Sequence, residues 1–188
     1  MSSTLYGFNI LSKYTKKADL VHYLNELHKS LCLLSQEIND RPKGLKQTAL
    51  QLVAPKLLSN TDKDVRVLCT CCIVDILRIF APEAPFSNED TISAFKAIVT
   101  QLRGLATYDS VDGILTSKVY YILNSISTVQ SCVVPVILGQ GGVSGADDVV
   151  QSMFEALLSS VRPEHPEEGI VSSILVICNL KEILIKIA

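Results

Sequence analysis

The chain has 188 residues, 48% of them apolar and 19% charged, with a mean hydropathy of +0.32. That composition excludes a disordered polar tail and any collagen-like or low-complexity class, and it demands extensive burial. The formal net charge of -2 argues against a dedicated duplex-binding domain, which would be strongly basic.

The charge is unevenly spread. Residues 1–50 carry seven Lys/Arg against four Asp/Glu, a balance of +3, and the remainder ten against fifteen, a balance of -5. Lys13, Lys16, Lys17, Arg41, Lys43 and Lys46 read as a solvated helix rim rather than an anion site. The opening "MSSTLYGFNILSKYTKK" places its basic residues after its apolar part and has no small-residue cleavage site, so it does not read as a secretory signal. The reading is a soluble, intracellular chain with no membrane partner.

The predicted elements are helical almost throughout. In "ADLVHYLNELHKSLCLLSQEI" (18–38), Leu20, Leu24, Leu27, Leu31 and Leu34 recur at steps of four and three, one apolar stripe of a helix that "NDRPKG" ends. In "LKQTALQLVAPKLLS" (45–59), Leu45, Ala49, Leu52, Val53 and Leu57 face inward, and Pro55 kinks or shortens the helix. "NTDKDVRVLCTCCIVDILRIF" (60–80) begins with Thr61 as N-cap and Asp64 three residues on. Its buried face is Val65, Leu68, Cys69, Cys72, Ile73, Ile76 and Phe80. Ser87 and Asp90 open the next helix in the same way, and three more cover 111–129, 146–161 and 167–187. The one strand-like stretch is "CVVPVIL" (132–138), weakened by Pro135.

The spacing therefore predicts about seven helices in an all-α, HEAT/armadillo-like helical-hairpin solenoid (an α–α superhelix), with units of roughly 40 residues. Residues 1–188 read as a single helical-repeat region, with a glycine-rich inter-helix loop at 139–145. The last helix stays apolar to its end without a polar face, which suggests a missing next repeat or a partner against it.

The six cysteines carry no metal-binding spacing. Cys69, Cys71 and Cys72 diverge around one predicted helix at about 100° per residue, and no C-x-x-C pair occurs. No metal and no cofactor is expected; buried free thiols are the reading. "VVPVILGQGGVSGADDVV" imitates a nucleotide-binding turn but has Ser144 where the pattern needs glycine, and Asp147 and Asp148 would repel a phosphate. His22 and His28 share no helix face, His165 lies in an acidic loop, and neither H-E-x-x-H nor G-x-S-x-G appears. Carboxylates read as helix caps and exposed faces, not as members of an apolar pocket. No enzymatic activity is expected.

"APEAP" is the remaining motif. Pro82 and Pro85 fix their own φ and keep Ala81 and Ala84 out of the helical region. The segment reads as a stiff, polyproline-like connector with free carbonyls and one exposed carboxylate, Glu83. As structure alone, it is a rigid elbow between two helices.

"DKDVRVLCTCCIVDILRIFAPEAPF" (62–86) closely resembles the opening repeats of the precocious-dissociation-of-sisters family of cohesin-associated sister chromatid cohesion proteins. In that family a helix of this pattern ends in an alanine-proline-acid-alanine-proline turn, here Ala81, Pro82, Glu83, Ala84 and Pro85. "AFKAIVTQLRGLA" (94–106) fits as well. Members are much longer solenoids, so the resemblance implies an N-terminal part or a truncated product, and the 139–145 loop is not a family feature. The resemblance implies a non-enzymatic regulator of the cohesin ring acting in mitotic sister chromatid cohesion and its maintenance or release. It implies contacts with the kleisin subunit, the cohesin ATPase end, the wings-apart-like release factor and the cohesin acetyltransferase. It places the protein in the nucleus, on chromatin through cohesin, with little direct DNA binding. The role in partner contact falls on residues 81–85. A generic adaptor for transport or coat assembly fits the periodicity equally well but not the proline turn.

Overall fold

Apolar spacing of three and four residues builds most of the helices of the chain. The computed structural model describes residues 5–7, 9–38, 41–106, 114–162, 165 and 167–187. Among them are ten helices and no strand: α1 (Ile10–Lys13), α2 (Lys17–Cys32), α3 (Leu45–Leu52), α4 (Pro55–Leu58), α5 (Lys63–Phe80), α6 (Asn88–Gly104), α7 (Ile114–Val129), α8 (Val133–Gln140), α9 (Ala146–Ser160) and α10 (Glu167–Ile187). The all-α, HEAT/armadillo-like class expected from the periodicity is the one observed. The chain divides into two compact units, Met1–Ser87 and Asn88–Ala188.

In the first unit α2 packs along α5, and α3 and α4 also lie against α5. Leu20, Leu24, Leu27 and Leu31 form the buried stripe of α2, while Leu34 falls beyond the helix and is half-buried. The 45–59 segment breaks into α3 and α4 at Pro55, which stands at the first position of α4, where its missing N–H costs nothing. All five of its inward residues are buried.

α5 differs from expectation at both ends. Its N-cap is Asp62, not Thr61: the Asp62 carboxylate accepts from the N–H groups of Asp64 (3.0 Å) and Val65 (3.3 Å). An aspartate beats the preceding threonine because it can reach both orphan donors with full charge at the positive end of the dipole. The helix is also buried far beyond one stripe. Val67, Cys71, Val74, Leu77 and Ile79 are buried with the expected residues, whereas Phe80 is only half-buried. The thiols behave as small hydrophobes with a weak donor: Cys69 donates to the Leu52 carbonyl (3.2 Å) and Cys72 to that of Leu24 (3.5 Å). Burial pushes the Cys69 thiol up to about 12.

Asp75 overturns the reading that carboxylates keep to caps and exposed faces. It is wholly buried in α5 and lies 2.7 Å from His28 Nδ1 on α2. A buried carboxylate needs such a partner, because removing a charge from water uncompensated is prohibitive.

Gly44 fixes the start of α3 in left-handed backbone (φ 83°) against Gly7 of the entering chain. There the Gly7 N–H donates to Thr48 Oγ1 (3.0 Å) and the Ile10 N–H to Gln51 Oε1 (2.6 Å).

In the second unit α9 packs on α6, α8 and α10, and α10 also covers α7. Phe95 and Ile98 of α6, Met153 and Leu157 of α9, and Val119, Ile122, Leu123 and Ile126 of α7 are buried. The strand-like 132–138 is helical. Pro135 is the third residue of α8, inside the first turn, where its absent N–H breaks no intrahelical bond. The 111–129 helix begins at Ile114; residues 111–113 lie outside the described set. α10 buries Val176 and Leu180 and exposes Val171, Ile174 and Leu175, an apolar outer stripe as its sequence suggests. No single helix among the described residues is long and apolar enough to cross a membrane; α7 and α8 reach that length only as a pair bent by 61°.

Candidate partner-binding turn

A buried helix must satisfy its last carbonyls, and the way α5 does so builds the 81–85 turn. The Glu83 N–H donates to the Phe80 carbonyl (3.1 Å) and the Ala81 N–H to that of Arg78 (3.4 Å). Ala81 is extended (φ -51°, ψ 142°), as a residue before proline must be, and the Ala81–Pro82 peptide is cis. The Glu83-to-Phe80 hydrogen bond closes the start of the segment as a turn. The expected polyproline-like run is interrupted at its start, where the Glu83 N–H turns back onto the Phe80 carbonyl.

Two side chains from the connector after α2 complete the cap. Gln36 Nε2 donates to the Arg78 carbonyl (3.0 Å), and Arg41 Nη2 donates to the Ile79 carbonyl (2.8 Å) and to that of Gln36 (3.3 Å). The Arg41 guanidinium also lies over the Phe80 ring, 4.3 Å from its centroid. In return, Arg78 of α5 donates to the Leu31 and Leu34 carbonyls, both at 2.8 Å. The C-terminal ends of α2 and α5 are thus capped reciprocally through arginines.

Arg41 accordingly leaves the solvated rim assigned to it. Lys17 stays on that rim with its side chain 62% exposed, and there it pairs with Asp62 and lies 3.9 Å from Asp64. The hydrogen bond from the Lys17 ammonium holds the Asp62 carboxyl below its ordinary value, and the same contact holds the Lys17 amine above its own.

Pro82 and Glu83 are exposed, and Ala81, Ala84 and Pro85 are half-buried. The turn thus offers a carboxylate acceptor flanked by two proline rings, on a frame fixed from beneath. None of its five side chains is a thiol, hydroxyl or imidazole. Sequence reasoning missed the supporting residues Gln36, Arg41 and Arg78. Their only signal was a basic or amide side chain beside a helix end, which is common to most solvated termini.

The glycine-rich loop lies in the other unit. Gly145 is the left-handed N-cap of α9 (φ 79°). The adjoining cavity of about 500 Å³ is lined by Val136, Val150, Phe154 and the acidic Asp147, among others, with no cationic residue in its lining. That lining suits an anionic phosphate as poorly as the sequence implies.

Helical hairpins packed in this order define a HEAT/armadillo-like protein. The family model of the sister chromatid cohesion protein PDS5 matches residues 18–187, and the chain belongs to that family. It is 30% identical over 165 residues to PDS5 homolog E of Arabidopsis thaliana, covering 87% of this chain and 16% of that one. Homolog A of the same plant is 33% identical, covering 80% of this chain and 9% of the relative. Homolog B-B of Xenopus laevis is 32% identical, covering 66% and 8%. The chain therefore spans less than a fifth of these relatives' length. A solved structure of a Pds5–Scc1 complex superposes with a TM-score of 0.68 at 24% identity, over 87% of this chain and 24% of that one. That likeness establishes the fold.

Proposed function

We propose that the chain is a non-enzymatic regulatory scaffold of cohesin, acting in mitotic sister chromatid cohesion and in its maintenance or release. The observation that carries this is family membership across residues 18–187. It works in the nucleus, held on chromatin through cohesin rather than through DNA. The kleisin subunit is the first partner to test, since the structural relative was solved with Scc1. The cohesin ATPase end, the wings-apart-like release factor and the cohesin acetyltransferase are the further partners. Residues 81–85 form the contact, with Pro82 and Glu83 presented to solvent. A pre-fixed turn loses little conformational entropy on binding, which supports a recognition role. No observation favours a transport or coat adaptor.

Affinity isolation from nuclear extract tests the proposal, using the chain beside a variant with Pro82→Ala, Glu83→Ala and Pro85→Ala together. Cohesin subunits retained by the parent chain and lost from the variant support both the scaffold and the turn. Equal retention removes the turn from the account. Capture of coat or transport factors in place of cohesin overturns the scaffold itself.

A further inference from the structure

His28, Cys32 and Asp75 meet where the last turn of α2 crosses α5, and nothing in the turn's architecture accounts for them. Asp75 Oδ2 lies 2.7 Å from His28 Nδ1, Cys32 Sγ lies 3.7 Å from the same nitrogen, and Sγ is 4.0 Å from each Asp75 oxygen. The three donor atoms all fall within 4.8 Å of one another.

The trio resembles a cysteine–histidine–aspartate relay, but its geometry rules that out. A relay needs the carboxylate on one ring nitrogen and the nucleophile on the other, so that a proton can cross the imidazole. Here both neighbours converge on Nδ1. Convergence of three different donor atoms on one small volume is instead the arrangement of a coordination site. In a tetrahedral zinc site, Zn–N and Zn–O distances near 2.0–2.2 Å and Zn–S near 2.3 Å set donor pairs roughly 3.3–3.6 Å apart. One contact must open slightly and two must tighten to reach that geometry.

We propose that His28, Cys32 and Asp75 bind a divalent transition-metal ion of the zinc class, through Nδ1, Sγ and a carboxylate oxygen. The mixed imidazole, thiolate and carboxylate donors suit this borderline-soft dication and not magnesium or calcium, which take oxygen ligands only. On binding, the thiol proton leaves to solvent and the imidazole ligates as the neutral tautomer with Nδ1 bare. Thiolate and carboxylate then neutralise the ion's two charges. His28 and Cys32 stand four residues apart on one helix face, and Cys32 is exposed while Asp75 is wholly buried. An ion thus has a path from solvent on the Cys32 side. Sequence inspection missed the site because it sought paired cysteines, whereas these ligands come from two helices 43 residues apart at the nearest.

The test is titration of the purified, chelator-treated chain with Co²⁺, a spectroscopic substitute for zinc, followed by displacement with Zn²⁺. The expected result is saturation at one equivalent with a thiolate-to-cobalt charge-transfer band, abolished in Cys32→Ser. That substitution sits at an exposed helix end, and circular dichroism verifies that its fold is kept. Zinc affinity, read by competition with a chromophoric chelator, should fall in Cys32→Ser by more than the tenfold to hundredfold typical of losing an outer-shell partner. No band in the parent chain, or a band and affinity unchanged in Cys32→Ser, overturns the site.

Discussion

A Cβ placed on Gly44 would come within 2.6 Å of the Gly7 Cα, a backbone atom that cannot step aside. Left-handed backbone alone costs an alanine about 1–2 kcal/mol, so Gly44→Ala should destabilise by at least that much in urea unfolding. An unchanged midpoint would show that the chain entry does not pack as described. The Lys17–Asp62 pair makes a prediction about pH. Because the folded state lowers the Asp62 carboxyl, its contribution is complete above the ordinary carboxylate range and is lost as pH falls through the lower folded value. Because the Lys17 amine is raised, its contribution holds below the ordinary lysine range and is lost as pH rises through the higher folded value. Lys17→Met should therefore lower the unfolding midpoint at neutral pH, and the gap to the parent chain should close in acid. A gap independent of pH would remove the pair from the account. At this scale the sequence was legible where one residue settles the matter, as with Pro55 opening α4. It was illegible where two distant residues do so together. The carboxylate in "CCIVDILRIF" was itself a warning, since an acid amid apolar neighbours requires a buried partner. The partner, 47 residues away on α2, had no local mark.

Among helices, the reciprocal capping of α2 and α5 makes Arg41 more than a surface cation. Arg41→Lys keeps the charge but loses the planar guanidinium over Phe80, whose Nη2 bonds the Gln36 and Ile79 carbonyls. Faster hydrogen exchange across 80–86 is expected, while the centre of α5 keeps its protection. Unaltered exchange at the turn would show that the prolines alone hold it. In the other unit, a Cβ on Gly169 of α10 would meet the Tyr120 ring of α7 at 2.3 Å. Gly169→Ala should therefore push α10 from α7 and lower stability by about 1–3 kcal/mol. A neutral effect on melting would mean the ring can swing clear. Helix periodicity identified α2, α3, α5, α6, α9 and α10 because each buries a repeating face. It failed for α8, whose eight residues form one helix so apolar that no period of three or four stands out from the background. It understated α5 for a related reason: a helix enclosed on most sides shows composition rather than a stripe.

For the molecule as a whole, the division at Ser87–Asn88 follows directly on the 81–85 proline connector, but nothing in that motif distinguishes a boundary between compact units from an elbow between two helices. The family, by contrast, was legible from 62–86, because the proline turn and the apolar helix before it are rarely combined by chance. The exposed stripe of α10 was also legible, as an unbroken run of apolar residues. The placement of the six cysteines has a practical consequence. Cys32 in the first unit and Cys178 in the second are exposed, while Cys69, Cys71 and Cys72 in the first and Cys132 in the second are buried. Each unit thus contains a fast-reacting thiol as a reference and at least one shielded thiol as a reporter. Alkylation under native conditions should modify two sites promptly and the other four only as fast as each unit opens. Mass-resolved labelling then becomes a clock: Cys71 times the opening of the helices beneath the proline turn, and Cys132 times the glycine-loop side. Without any introduced probe, a bound partner that steadies one unit would slow one hand of that clock and leave the other running.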